Sequence, residues 1–226
     1  MSNTIRLLLA LQYGDSFFPS GAASFSWGLE TLFTEGDLST ANHVEAFIRA
    51  QLVGRWASFD RCVVAAAHEA ADDLDELFDI DALVEAQTLA IEMREGSRRT
   101  GLALLRMHEK LGTPGAAPYL ARVRASQTCG HLSVMQGFLW AKSSITQADT
   151  EIISAHTFIV GLLGAALRLG AIGHIDCQHI LGNVRTSIDD IMNLDYLLIK
   201  QIHSFTPHSE IAVMRHETAD SRLFAN

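Results

Sequence analysis

Ile152-Ile-Ser-Ala-His-Thr-Phe-Ile-Val-Gly-Leu-Leu-Gly-Ala-Ala-Leu-Arg-Leu-Gly-Ala-Ile-Gly173 is apolar on nearly every side, and a helix with that pattern has to be enclosed by other elements. A membrane span is the rival, because about 20 apolar residues cross a bilayer. His156 and Arg168 inside the run, Gly161, Gly164 and Gly170, and the lack of a second such segment favour the core helix of a soluble bundle. Gly161, Gly164, Ala165 and Ala166 leave little side chain on part of the surface, which lets neighbouring helices approach at the short end of the interaxial range. The stretch therefore predicts the central helix of a bundle, with residues 158–169 in its most buried helix and Gly164 at a close helix contact.

Outward from that stretch the pattern stays helical. Residues 4–12 form a short leucine-bearing helix, broken by Tyr13-Gly-Asp-Ser-Phe-Phe-Pro-Ser-Gly-Ala-Ala23. In this loop Phe17 and Phe18 either pin the backbone onto the core, the reading that physics favours, or serve a partner. Residues 24–35 read as a helix carrying Trp27, Leu29, Leu32 and Phe33, closed by Gly36 at C′. Ser39 or Thr40 caps the next helix, whose Val44, Phe47, Ile48, Leu52 and Trp56 share one face. Further helices are expected over 58–71, from Asp79 or Asp81 through Ala90, and over 94–111, 119–127 and 131–142, with Thr146 to Asp149 capping the central one. A last long helix from about Asp176 should place Ile180, Leu181, Val184, Ile188, Ile191, Met192, Leu198, Ile199 and Ile202 in one stripe and stop before Pro207.

No period-two alternation bounded by hairpin turns occurs, and neither a linker nor a constant-period repeat is evident. The expected fold is all-α: a single-domain helical bundle over residues 1–226, built around a buried central helix at about 152–172, with a loosely held C-terminal docking tail at about 206–226.

The 226-residue chain is 48% hydrophobic and carries a formal charge of -9 with no block of Lys or Arg. That balance suits a sizeable core and argues against nucleic acid or an anionic membrane surface as partner. The N-terminus has no substantial basic region and no cleavage site, so a cytoplasmic location is expected. Cys62, Cys129 and Cys177 form no CxxC pair, which suggests buried thiols and neither a disulfide framework nor a zinc ribbon.

Catalytic motifs are missing from the sequence. There is no phosphate loop, dinucleotide fingerprint or GxSxG elbow, and His68-Glu-Ala-Ala-Asp72 lacks the second histidine of a zinc-protease helix. No catalytic residue is assigned and an enzyme is not expected. The weak metal candidates are His174, Cys177 and His179, which converge only if their segment is not a regular helix. Asp189, Asp190 and Asp195 form either the wet side of a helix or a polar contact with another protein. In the tail, Ile211, Met214 and Thr218 make one narrow helical stripe, and Arg215, Glu217 and Arg222 add directional polar groups. Coupled folding on a partner and packing back on its own bundle are nearly even readings, and Arg222 is the expected polar lock.

Leu11-Gln-Tyr-Gly-Asp-Ser-Phe-Phe-Pro-Ser-Gly21 followed by Ser26-Trp-Gly-Leu-Glu30 resembles the opening signature of the urease accessory protein UreF family. Met214-Arg-His-Glu-Thr218 with Ser221-Arg-Leu-Phe224 resembles its closing signature. Arg94-Glu-Gly-Ser97, Gly101-Leu-Ala-Leu-Leu105 and Arg168-Leu-Gly-Ala-Ile-Gly173 are similar to family patterns in the same order. The chain departs from the family at Ala22-Ala23, where Gly and an aromatic are usual, and any anchoring role of that aromatic passes to Phe25 or is lost. The resemblance implies an all-helical, non-enzymatic maturation factor. It would dimerise, bind UreD (UreH in some organisms) and recruit the GTPase UreG for nickel insertion into apo-urease. No cofactor would be tightly bound, nickel and GTP being handled by the assembled complex, although a chain that carries nickel itself is the alternative. The partner-binding residues implied are Phe18, Pro19, Gly21, Phe25, Met214, Arg215, His216, Glu217, Ser221, Arg222, Leu223 and Phe224.

Overall fold

Capping and apolar spacing set most of the elements. In a computed structural model, which describes residues 2–19, 25–217 and 223–224, the chain is 72% helical with no strand among those residues. The helices are α1 Asn3–Gly14, α2 Leu29–Thr34, α3 Ala41–Gln51, α4 Arg61–Glu69, α5 Leu74–Gln87, α6 Ile91–Lys110, α7 Ala116–Arg124, α8 Leu132–Lys142, α9 Gln147–Arg168, α10 His174–Asn183, α11 Arg185–Met192 and α12 Pro207–His216. Thr40 and Thr146 cap α3 and α9 by accepting from the backbone N–H of His43 and Asp149, as their position before an apolar-periodic run leads one to expect. Gly36 takes φ +89 just after α2, in the left-handed region where glycine carries no steric cost.

Two apolar clusters make the core. One unites α1, α4, α5, α6, α7 and α8 around Phe59, Leu105, Tyr119, Phe138 and Trp140. The other unites α2, α3, α10, α11 and α12 around Leu29, Ile48, Trp56, Ile159 and Val184. The helix predicted to be central belongs to both, giving Ile153 to the first and Ala155, Ile159, Leu162, Leu163 and Ala166 to the second. It touches α1, α2, α3, α4, α8 and α10. Among the described residues α9 alone is long and apolar enough to cross a membrane, and its burial within the bundle marks it as a core helix.

Its enclosure is nevertheless one-sided. A Cβ on Gly161 or Gly164 would meet no atom within 4 Å, so these glycines open onto space and not onto a close helix crossing. The most completely enclosed helix is α8, in which every residue from Ser133 to Trp140 is buried. There Gly137 lies against α4: an added Cβ would come 2.8 Å from Ala67 Cβ and 2.9 Å from His68 N, with the Val64 carbonyl closer still.

Several boundaries differ from the sequence pattern, each for a nameable reason. α2 is short because Trp27 and Gly28 adopt φ +57 and +84 and form a turn where a helix from residue 24 is expected. The two helices expected over 40–56 and 58–71 are joined without a break by a π-helical segment, Leu52–Asp60. Two carbonyls of that segment, on Gly54 and Ser58, accept from the N–H of Phe205 at 2.8 Å and His203 at 3.1 Å. A π segment commonly marks such a local compromise. α5 starts earlier than expected because Asp73 accepts from the N–H of Asp75 and Glu76. Asp81 instead lies inside α5, fully buried, accepting from the N–H of Cys129, Gly130 and His131 and from the Thr128 hydroxyl.

The last long helix is two helices and an irregular segment. Arg61 ends α11: its guanidinium donates to the carbonyls of Ile191 at 2.7 Å, Leu194 at 3.1 Å and Met192 at 3.3 Å, while its Nε donates to Glu151 at 2.9 Å. Arg61 and Glu151 are both buried, and Tyr196 donates to the other Glu151 oxygen at 2.6 Å. Leu198, expected on the stripe, is exposed, whereas Ile202 is buried beyond the break.

His108 is fully buried, 4.9 Å from the ring of Tyr13 and 5.8 Å from that of Phe18, and burial pushes its pKa down to about 4. The folded value lies below the unfolded one of about 6.5, so the unfolded chain holds more protons in this window and stability rises with pH through it. Acidification from pH 6.5 to 4 is expected to remove about 3 kcal/mol through this group, and His108→Leu to flatten that part of a stability-versus-pH curve from urea melts. In the same assay Gly137→Ala is expected to destabilise by about 1 to 3 kcal/mol. Gly164→Ala should be neutral or gain up to about 1 kcal/mol, because it adds helix propensity into open space; a large loss there would place Gly164 in a packed contact.

Candidate functional site

The two ends of the chain meet. Gly28 begins the seat: a Cβ there would stand 2.8 Å from the Ser209 carbonyl and 3.1 Å from Ala212 Cβ, so only glycine lets α12 lie on the turn before α2. Pro207 opens α12 at its first position, and the helix buries Ser209, Ala212, Val213 and His216. Ser209 donates to the Trp27 carbonyl at 2.6 Å, and Thr31 donates to the Ala212 carbonyl at 3.0 Å. Val213 packs with Ala90 and Met93 of α6. At the rim Arg215 pairs with Glu35 at 3.1 Å.

The polar centre of the seat is Glu30, a largely buried carboxylate on α2. One oxygen accepts from the N–H of Leu223 at 2.7 Å and the other from that of Phe224 at 3.1 Å. His216 stands between two carboxylates, with Nε2 3.1 Å from Glu30 and Nδ1 2.9 Å from Glu92 of α6. Beyond them Phe224 is buried, and the Arg168 guanidinium lies 4.3 Å from its ring centroid, a cation–π contact. Charge-assisted bonds of this kind are among the stronger ones available to a protein. They tie α2, α6, α9 and the C-terminal segment to one another.

Outside the seat three apolar side chains stand in solvent beside polar ones. Ile211 is 47% exposed, Met214 44% and Leu223 64%. The first two lie three residues apart, hence on one face of α12.

The structure sorts the expected partner-binding residues into groups. Phe25, His216 and Phe224 are buried, and Met214, Arg215, Glu217 and Leu223 are exposed. Phe25 lies against Gly96, where an added Cβ would come 2.7 Å from its ring, and under the guanidinium of Arg99 at 4.7 Å. Phe18 is buried against Tyr13, with ring centroids 5.3 Å apart, and so pins its loop to the other core cluster. Pro19 and Phe17 are exposed, Phe17 at 93%. Gly21, Ser221 and Arg222, with Ala22, Ala23 and Thr218, lie outside the described residues. The first part of the tail forms a helix over Pro207–His216, where its sparse apolar residues are joined by buried polar contacts. Glu30 and Glu92 are the residues that sequence reasoning missed; the available signal was a carboxylate flanked by core residues, Leu29 for Glu30 and Met93 for Glu92.

The weak metal candidates are not brought together. They share the regular helix α10, with His174 and His179 exposed and Cys177 turned inward, its Sγ 4.0 Å from the Leu163 carbonyl. Asp189, Asp190 and Asp195 are exposed. The donors that do converge are Glu85, Cys129 and His131. Burial lowers the His131 pKa. Burial would raise that of Glu85, but hydrogen bonds from Arg98 and His131 outweigh it and leave the carboxyl below its usual range.

The UreF family model matches residues 38–185. The urease accessory protein UreF of Trichodesmium erythraeum (strain IMS101) is 30% identical, over 97% of this chain and 96% of its own length. Those of Yersinia pseudotuberculosis serotype IB (strain PB1/+) and Yersinia enterocolitica are 30% identical over 99% of this chain and 100% of their own.

The chain belongs to the UreF family of urease accessory proteins.

It is an accessory protein and not an enzyme. The family's spaced motifs also acquire physical reasons in α6 and α9. Gly96 admits Phe25, Ser97 accepts from the N–H of Leu132 at the start of α8, and Gly101 admits the loop at Gly130. Gly170 takes φ +74 where α9 ends.

Glu30→Ala is expected to destabilise the fold by about 1 to 3 kcal/mol, because it strands buried donors. It should also release the chain end, so that limited proteolysis cuts after residue 216 faster than in the wild type while helicity by circular dichroism is retained. Unchanged cleavage would show that Glu30 does not hold the end.

Proposed function

We propose that the chain is a non-enzymatic scaffold in urease maturation, working in the cytoplasm as a homodimer. It binds a UreD-type partner (UreH) through its joined chain ends and recruits the GTPase UreG, so that nickel enters apo-urease with GTP hydrolysis. Nickel and GTP belong in this reading to the assembled complex. The observation that supports it most is the outer surface of α12. Its inner face is fixed by Glu30, His216 and Val213, while Ile211, Met214 and Leu223 are left in solvent. An exposed apolar group beside a rigid anchor has the makings of an interface centre, since little ordering entropy is lost when it is covered. Parts of the two end signatures, Trp27 to Glu30 and Met214 to Glu217, build and flank this surface.

Truncating the tail tests the idea poorly, because removing α12 would also uncover Gly28, Ala90, Met93 and the polar seat. Substitutions on the outer face are cleaner. Ile211→Asp and Met214→Asp are expected to leave the melting temperature within a degree or two, as exposed changes usually do, and to abolish co-purification with a UreD-type partner. Retained capture of both UreD and UreG by the double variant would remove α12 from the interface.

A further inference from the structure

One to two turns along α6 from the tail seat, α5, α6 and the loop before α8 bring together an imidazole, a thiol and a carboxylate. The loop 128–131 is built around Asp81, whose two oxygens take the N–H groups of Cys129 at 2.6 Å, Gly130 at 2.8 Å and His131 at 2.8 Å. A fully buried carboxylate thus fixes the backbone of both Cys129 and His131. The His131 ring is fully buried, with Nδ1 3.1 Å from the Ser97 hydroxyl and Nε2 2.9 Å from Glu85. The donor atoms of Glu85, Cys129 and His131 all lie within 4.8 Å of one another.

We propose that Glu85, Cys129 and His131 form a binding site for a divalent first-row cation of the Zn²⁺, Co²⁺ or Ni²⁺ class. Sulfur, imidazole nitrogen and carboxylate oxygen together are the donor set of these borderline ions and not of Mg²⁺ or Ca²⁺. Around a tetrahedral ion with bonds of about 2.0 to 2.3 Å, donors stand about 3.3 to 3.8 Å apart; the His131–Glu85 pair, at 2.9 Å, would open slightly, and all three donors already lie within 4.8 Å of one another. The outer contacts match what a metal-binding histidine needs: the Ser97 hydroxyl on the second nitrogen orients the ring, and Asp81 holds the loop that carries two of the three donors. Three protein donors leave one position open, the arrangement of an exchangeable site and not of a closed structural one.

A cation already sits in this place. The Arg98 guanidinium donates to Glu85 through Nε at 2.8 Å and pairs through Nη2 with the other oxygen, and its charge acts on the Cys129 thiol. Its own side chain is 41% exposed, so it has solvent to move into. Arg94, 3.5 Å from Glu85, remains to neutralise it at longer range. The geometry is that of a metal seat whose carboxylate is occupied by a displaceable internal cation, which weakens the site and ties metal entry to the departure of Arg98. The site is distinct from His174, Cys177 and His179, and stands apart from the scaffold reading, which it neither needs nor upsets.

The test uses the full-length chain without a histidine tag, titrated with Co²⁺ and then by calorimetry with Zn²⁺ and Ni²⁺. Thiolate-to-cobalt charge-transfer absorption is expected to saturate at one ion per chain. Cys129→Ser is expected to abolish that absorption and weaken binding roughly ten-fold or more, and Glu85→Gln to weaken it. Cys62→Ala and Cys177→Ala should keep the absorption. Arg98→Ala is expected to tighten binding roughly ten-fold, an effect that a merely structural arginine would not produce. The proposal is overturned by a wild type without thiolate charge transfer, by absorption that survives Cys129→Ser, or by Arg98→Ala binding that is unchanged or weaker. Should Cys129→Ser fail to fold, the opposite responses of Arg98→Ala and Glu85→Gln decide the matter.

Discussion

The carboxylate of Glu30 is the polar centre of the contacts that hold the two ends of the chain together, and the surface offered to a partner depends on it. A buried carboxylate is costly unless its acceptor sites are filled. Here they are filled by two backbone N–H groups at residues 223 and 224 and by His216, which carries the contact onward to Glu92. The same residues give direction as well as attachment: with His216 pointing inward, Ile211 and Met214 have to point outward. Phe224 under Arg168 then joins the chain end to the last turn of α9, so the terminal segment reports on the central helix of the bundle.

The interior makes that arrangement rigid through a second buried ionic contact. Arg61 and Glu151 join α4 to α9, and Arg61 also donates to the carbonyls of Ile191 and Met192 in the last turn of α11, where intrahelical donors run out. Removing either member alone would leave a buried charge, so the pair specifies where α11 stops more than it adds stability. From that stop the chain runs back along the π segment, where Gly54 and Ser58 receive Phe205 and His203. Gly54 is required there, since a Cβ would come 2.6 Å from the Phe205 carbonyl. The approach of α12 to its seat is therefore set by contacts made well before Pro207.

What could be read in the sequence was local. The caps at Thr40 and Thr146, the glycine after α2 and the all-helical pattern all depend on residues close in the chain, and the structure agrees with each, while the family likeness is carried by the matches to UreF proteins. Where the reading departed, a distant partner decided. Periodicity carried a helix through Leu198, but Arg61 took its carbonyls. Asp81 looked like a cap, yet it serves a loop far along the chain. Gly164 and Gly137 are alike in sequence, and only packing shows that the second lies against α4 while the first faces open space. In the tail, apolar content alone left docking and packing back on the bundle nearly even, because much of the seat is polar and supplied by Glu30 and Glu92. The cluster of Glu85, Cys129 and His131 was illegible for the same reason, its donors coming from two separate segments.

Hydrogen exchange by mass spectrometry, on the chain alone and with a UreD-type partner, tests the central claim most directly. Peptides from α12 and from α2 should gain protection together on binding, while α5 and α7 exchange as before. Protection confined to other helices, with α12 unchanged, would contradict the assignment of the joined chain ends as the docking surface.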